Sequence, residues 1–210
     1  MDSVCIRVLL FALAIGAANP VFGRDDMVHV VYRFISPNIQ AGTFGAAERE
    51  AWLAGSTHLR LEEPPNPEAG VHTLIVGNAP DTWYVDRLSR TGHHRRSSES
   101  AYTVPIFPDA RHTGIRGLEL GAEREYFRQH GARPAGTRII DGEHVSLSEL
   151  IFDHTILTLY IRDDGTPYQV AIQSPRATYA VRFSTYESGL EPDPSLFQRP
   201  TDVEFVEATD

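Results

Sequence analysis

Beyond residue 26, hydrophobic and polar positions alternate with a period of two through most of the chain. Val28, Val30, Tyr32 and Phe34 share one side of a first segment, and Leu59 and Leu61 alternate with His58, Arg60 and Glu62. Leu74 and Val76 alternate with Thr73 and Ile75, and Trp83 and Val85 with Tyr84 and Asp86. Further on, Leu157, Leu159 and Ile161, then Val170 and Ile172, then Tyr179, Val181 and Phe183 repeat the pattern. Such alternation predicts half-buried antiparallel strands.

Turn chemistry falls between these segments. Asp163-Asp164-Gly165-Thr166-Pro167 predicts a hairpin between Leu157–Arg162 and Tyr168–Ser174, and Asp141-Gly142 predicts another. Ser174-Pro175-Arg176 turns the chain into Ala177–Thr185, and His93-His94-Arg95-Arg96 reads as a solvated hairpin turn. Neighbouring strands should pair sequentially as a meander. One stretch has helical spacing: Leu118, Ala122 and Tyr126 recur every four residues, and His130-Gly131 supplies a stop, which predicts a helix over Gly117–Gln129. Two proline-rich loops, Glu62–Gly70 and Glu191–Pro200, should lie over the sheet. The fold expected is mainly β: a strongly curved antiparallel sheet or incomplete β-barrel with one covering α-helix.

The N-terminus reads differently. Arg7, the apolar run Val8–Ile15 and the small residues Gly16-Ala17-Ala18 form a secretory signal pattern, with cleavage expected near Gly23 and Ala18 as a second site. The run is shorter than the roughly 20 apolar residues of a spanning helix. The expected organisation is a signal peptide over 1–23 and a single β domain over 24–210, exported to the periplasm and soluble after cleavage. Cys5, the sole cysteine, falls inside the segment to be removed, so the mature chain has no disulfide framework. Roughly 185 residues can bury a substantial core without such staples.

The net charge is −9, and removing residues 1–23 leaves it unchanged because Asp2 and Arg7 cancel. An acidic chain whose longest basic tract is Arg95-Arg96 is a poor nucleic-acid binder.

Three segments resemble the periplasmic lipoprotein-carrier superfamily, the LolA-like proteins. Ala51-Trp52-Leu53 followed by Leu59-Arg60-Leu61 is similar to a family strand pair opening on a Trp. The stretch from Thr73 through Gly77-Asn78-Ala79-Pro80 to Trp83-Tyr84-Val85-Asp86 is similar to a family hairpin. Leu157–Ser174, Tyr179–Tyr186 and Pro192-Asp193-Pro194-Ser195-Leu196-Phe197-Gln198-Arg199-Pro200 resemble its closing strands and terminal motif. The resemblance runs from about Val28 to Val206 and implies a helical lid over an apolar cavity that holds acyl chains. There are two departures. Ala54 and Gly55 stand where lipoprotein carriers place an Arg beside a Pro, and Met27–Ile35 reads as strand where the family begins with a helix.

The candidate lining of such a cavity is Tyr32, Phe34, Trp52, Leu59, Leu61, Leu74, Val76, Trp83, Leu157, Leu159, Val170, Ile172, Tyr179, Val181 and Phe183, with Leu118, Ala122 and Tyr126 as lid. An unfilled cavity would gain about 0.8 kcal/mol per buried methylene of a guest chain. The competing reading is that the same residues interdigitate as an ordinary core. Catalysis has no motif behind it: G-x-S-x-G is absent, and Asp163-Asp164 lies in a turn signal. Glu48, Glu50, Glu62 and Glu63 are paired acids whose separation the sequence leaves open. The nine histidines show no ligand spacing, since His93 and His94 would face opposite sides of a strand and His112, His130 and His144 fall in unrelated segments. No metal or other cofactor is expected. Arg60 is expected on the outer side of the sheet with Glu62. The function expected is a non-enzymatic carrier for a lipid or acyl-bearing ligand, serving a membrane-protein donor or acceptor. The alternative is a sensor or interaction module docking on a membrane-protein partner, which predicts a packed interior.

Overall fold

The structure is a computed structural model that describes residues 26–97, 101–107, 115–175 and 178–206. The expected signal segment with Cys5, together with His112, Arg176 and Ala177, lies outside the described residues.

Among the described residues twelve strands form a single curved, unclosed sheet. The first run comprises β1 (Met27–Ile35), β2 (Arg49–Ala54), β3 (His58–Glu62), β4 (Thr73–Asn78), β5 (Asp81–Asp86) and β6 (Thr91–Arg96). The second comprises β7 (Arg133–Ile140), β8 (Glu143–Phe152), β9 (Thr155–Arg162), β10 (Pro167–Gln173) and β11 (Thr178–Leu190), and β12 (Glu204–Val206) follows. The spatial order is β12-β6-β5-β4-β3-β2-β1-β11-β10-β9-β8-β7. Two antiparallel meanders are thus joined where β11 returns to pair with β1, with Tyr32 opposite Phe183 and Phe34 opposite Val181. The C-terminal β12 adds to the outer side of β6 in parallel, Phe205 opposite Gly92.

The predicted alternation holds along most strands, and the turns sit where their chemistry requires. Asp141 and Gly142 both take positive φ, 53° and 86°, as a two-residue hairpin between β7 and β8 needs. His93-His94-Arg95-Arg96 is not a turn but most of β6, paired along β5 with His94 opposite Trp83. Its neighbours bear on the difference: in the extended conformation His94 bonds Asp81 at 2.8 Å and stacks on Trp83.

The helix is shorter than its spacing suggests. It spans Glu123–Gln129, and is called α1 below. Gly117 and Gly121 take φ of 76° and 75°, outside the helical region, and between them Glu119 forms an isolated bridge with Pro105. Leu118 is therefore extended chain, and Ala122 is the residue that caps the helix.

Both free edges carry protection against further pairing. β7 is exposed almost throughout, but Pro134 removes a donor, and the register slips between Pro134 and Thr137 around Gly136. The described part of β12 is only three residues long.

The main core lies on the concave face, where Val30, Leu59, Leu157, Val170, Val181 and Phe183 are fully buried. Leu157→Ala should cost about 2–5 kcal/mol, because its neighbours on β8 and β10 are held in register and collapse poorly. Ile139→Ser, at a position 74% exposed, should stay within about 0.5 kcal/mol of the parent. Chemical denaturation of both variants checks the contrast.

Candidate functional site

The two faces of the sheet separate the predicted lining residues. Tyr32, Leu59, Leu61, Leu157, Leu159, Val170, Ile172, Val181 and Phe183 belong to one buried cluster on the concave side, with Phe34 and Tyr179 packed against it. Leu118 and Tyr126 join that cluster from above, whereas the lid residue Ala122 is only half-buried. Leu74, Val76, Trp83 and Trp52 do not line the concave side. Leu61 pairs with Ile75, so Ile75 shares its face and Leu74 and Val76 point the other way. There Leu74, Val76 and Val85 pack with Trp83, Val203 and Phe205. Trp52 packs with Met27, Ala54 and Phe197 on the same convex side. The sequence shows apolar residues at three successive positions, 74 to 76, and such a run assigns no face by itself.

The concave hollow is occupied by the chain's own connection between the two meanders. Val104, Ile106, Phe107, Ile115, Leu118, Leu120, Tyr126 and Phe127 all insert into the main cluster. This cover is keyed at two points. At one end the Tyr102 ring lies on Gly77, where a Cβ would stand 2.7 Å from Tyr102 Cζ. The Tyr102 hydroxyl donates to the Asp81 carbonyl at 2.6 Å, and its backbone N–H donates to Ser56 O at 2.7 Å. Burial pushes this phenol above its ordinary pKa of 10, so it stays a neutral donor. At the other end Glu123 is fully buried; it accepts from Tyr186 Oη at 2.7 Å and from Gly121 N at 2.6 Å. Most of these cover residues escaped the sequence reading because the segment has no periodicity. Only the density of Val, Ile, Leu and Phe between residues 104 and 120 signals burial.

Two polar cavities lie elsewhere. One, of about 310 Å³, is lined by Val31, Glu48, Arg49, Glu50, Glu62, Glu63, Pro64 and His72. It gathers the four glutamates whose separation was open, but three of them already have partners. Glu62 meets Arg60 at 3.3 Å, His72 at 3.3 Å and Arg87 at 3.1 Å. Glu50 meets His29 at 2.8 Å, and Glu63 meets Arg49 at 3.4 Å. Arg49 is itself buried between the rings of Phe34 and Phe44, each 4.9 Å away, and donates to Ala47 O and Phe44 O. The adjacent Tyr32 phenol is pushed far above its ordinary range, chiefly by burial, with Arg49 opposing and Glu63 adding to the shift. It exchanges no proton near neutrality. Among the described residues no group of three His, Cys, Asp or Glu stands where it could hold a metal ion.

The second cavity, of about 280 Å³, opens on the convex face beneath the C-terminal segment. Arg60 and Arg87 stand on its sheet side and Arg199 on the covering segment. Arg60 lies opposite Leu59 and Leu61 across the sheet and pairs with Glu62, as alternation predicts. The turn carrying Arg87 is organised by Asp86. Burial raises that carboxyl's pKa, but the Ser89 hydroxyl and the N–H groups of His72, Leu88 and Ser89 outweigh it and bring the group below 3.8.

Among the described residues the architecture is that of an open, mainly antiparallel sheet with one α-helix. No family model matches the chain, and no curated protein matches it. Solved structures similar to it include a conserved uncharacterised protein from Thermus thermophilus, at 10% identity, covering 87% of this chain and 91% of that one with a TM-score of 0.49. A structure of PNGF-II matches at 9% identity over 87% of this chain and 31% of its own, with a TM-score of 0.35. A DUF1329 family protein from Desulfovibrio piger matches at 9% identity over 84% and 90%, with a TM-score of 0.27.

Two outcomes are expected here. Gly77→Ala should displace the Tyr102 ring and cost about 1–3 kcal/mol, read by thermal unfolding, with faster hydrogen exchange at Ile106 and Leu120. Asp86→Asn should destabilise the fold at neutral pH but not in acid. The ionised carboxylate's contribution is present above pH 3.8 and is lost as pH falls through the lower folded-state value, so the two unfolding curves should converge there.

Proposed function

We propose that the chain is an exported, non-enzymatic interaction module that works through its outer surface. The observation that carries this reading is the keyed cover over the concave face. Displacing it would expose eight apolar side chains, at a cost of about 12–24 kcal/mol if each is worth about 1.5–3 kcal/mol. A sixteen-carbon chain taking their place returns only about 13 kcal/mol. The exchange is at best even, and it would also break the Tyr102 and Glu123 contacts. A packed interior is what a docking module needs, since its shape must not vary with what it holds.

The surface offers an apolar tip for a partner: Ile151 and Phe152, at the β8–β9 hairpin, are 70% and 37% exposed. The partner in this reading is a membrane protein of the envelope, met in the periplasm, and neither catalysis nor nucleic acid is involved.

A second reading is kept on one observation. The apolar concave face is continuous across β1, β3, β9, β10 and β11, and its cover is an irregular segment with a two-turn helix rather than a second sheet. In that reading the fold is an incomplete barrel of the LolA-like kind, the cover is a lid, and a lipid or acyl-bearing ligand replaces it.

Three measurements separate the two. For an interaction module, native mass spectrometry of protein from the periplasm should show no co-purifying lipid, and a fluorescent fatty acid should not bind saturably. A photo-crosslinker at Ile151 should give one discrete adduct in the envelope that a crosslinker at Leu157 does not. Saturable fatty-acid binding, with faster exchange of the cover amides on loading, would establish the carrier instead.

A further inference from the structure

The convex cavity has a charge pattern that the interaction reading does not require. Arg60 and Arg87 reach it from β3 and from the turn after β5, and both are fixed on the same Glu62 carboxylate. Arg60 also donates to Leu196 O at 3.5 Å, which ties it to the segment above. Arg199 comes from that segment and lies over the Phe205 ring, 4.6 Å from its centroid. Stacking holds a guanidinium by its face and leaves its N–H edge directed elsewhere. Arg199 makes no ion pair among the described residues.

Phe205 is itself seated by a glycine. A Cβ at position 92 would stand 2.9 Å from Phe205 Cε1 and 2.8 Å from Tyr84 O, so β6 is bare where the ring crosses it. The wall that carries Arg199 is therefore a built part of the fold. Ser195 and Thr201 line the same space. Among the described residues its one lining carboxylate is Asp202, and Glu62 stands behind Arg60 and Arg87, so there three guanidiniums exceed two carboxylates by one charge. That local surplus sits on a chain whose net charge is −9. At about 30 Å³ per water, 280 Å³ is the share of about nine waters, enough for a phosphate group and part of its bearer.

We propose that this cleft binds a phosphate-type oxyanion, held between Arg87 and Arg199 with Arg60 at its base. Planar guanidiniums match tetrahedral oxyanions through paired N–H donors. The anion is either a soluble phosphate ester or the phosphate of a lipid headgroup. The inference does not depend on whether the concave interior opens, because the cleft lies across the sheet from it.

The test uses the mature full-length chain. Calorimetric titrations with inorganic phosphate and with glycerol 3-phosphate run beside sedimentation with phosphatidylglycerol vesicles and with phosphatidylcholine vesicles as control. Binding in at least one anionic arm should saturate and weaken about tenfold in Arg87→Gln and in Arg199→Gln. Arg138→Gln, on the exposed strand β7, should leave it unchanged. Binding of the soluble ester assigns the source to solution; binding only to phosphatidylglycerol vesicles, with the same pattern among the variants, assigns it to a headgroup. Should Arg199→Gln loosen the C-terminal segment, Arg87→Gln still decides, since Arg87 lies on the sheet side of the cleft. Absence of saturable binding in every anionic arm, or binding that survives Arg87→Gln, overturns the site.

Discussion

The structure depends on one pairing, the seam between β1 and β11. Each meander alone carries apolar residues on both faces and little to bury them against. Joining them brings together residues more than 140 positions apart, as with Tyr32 and Phe183. The loop-closure cost at such separation is about 4 kcal/mol, which adds to the entropy lost in ordering both strands. Repayment comes from both faces at once. On the concave side Val30, Tyr32, Val181 and Phe183 are buried at the seam. On the convex side His29 bonds Glu50 of β2 and Glu187 of β11, each at 2.8 Å, while stacking on Trp52. A single side chain thus clamps three strands, and the register shifts beside it, where β11 carries an extra residue against β1, set the local twist.

Once the seam forms, the rest of the topology has little freedom. The chain leaves the sheet at β6, on one flank, and must re-enter at β7, on the far flank. The connection crosses the concave face because that face holds the exposed hydrocarbon. After β11 the chain starts from the middle of the sheet and runs back over the convex face to β6. Both crossings end on bare backbone, Tyr102 on Gly77 and Phe205 on Gly92. In each case an aromatic ring fills the space a side chain would occupy, so the two glycines act as sockets rather than as turns.

The legible part of this fold is the part that repeats. Period-two segments such as Leu157–Arg162 and Tyr168–Gln173, and turn pairs such as Asp141-Gly142, carry their conformation in a few adjacent residues. Faces were legible only where apolar and polar residues alternate strictly. Leu59-Arg60-Leu61 meets that condition and Leu74-Ile75-Val76 does not, and the cross-strand partners decide the latter. The helix from Gly117 failed for a related reason: spacing at Leu118, Ala122 and Tyr126 is a statement about side chains, whereas Gly117 and Gly121 set the backbone. The cover and the C-terminal segment lack any period, and their positions follow from the path between sheet edges. The cavities were the least legible, because they join residues from strands and loops that no spacing relates.

The acidic residues show how an apparent site can be part of the frame. Glu50 and Glu62 stand directly opposite each other on β2 and β3, a like-charged cross-strand pair that by itself disfavours the pairing. The fold resolves the conflict by giving each carboxylate its own partners: His29 for Glu50, and Arg60, Arg87 and His72 for Glu62. The acid-rich cavity is the space left between these two sets of pairs, and its paired carboxylates are committed. The same arrangement has a consequence on its other side. By holding Arg60 and Arg87 together at one carboxylate, Glu62 brings two positive groups closer than they would stand alone. A third, Arg199, then arrives on the crossing segment, stacked on Phe205 rather than paired with a carboxylate of the described residues. Neutralising repulsion between two strands has concentrated positive charge beneath the crossing segment, and that concentration is what an anion would meet there.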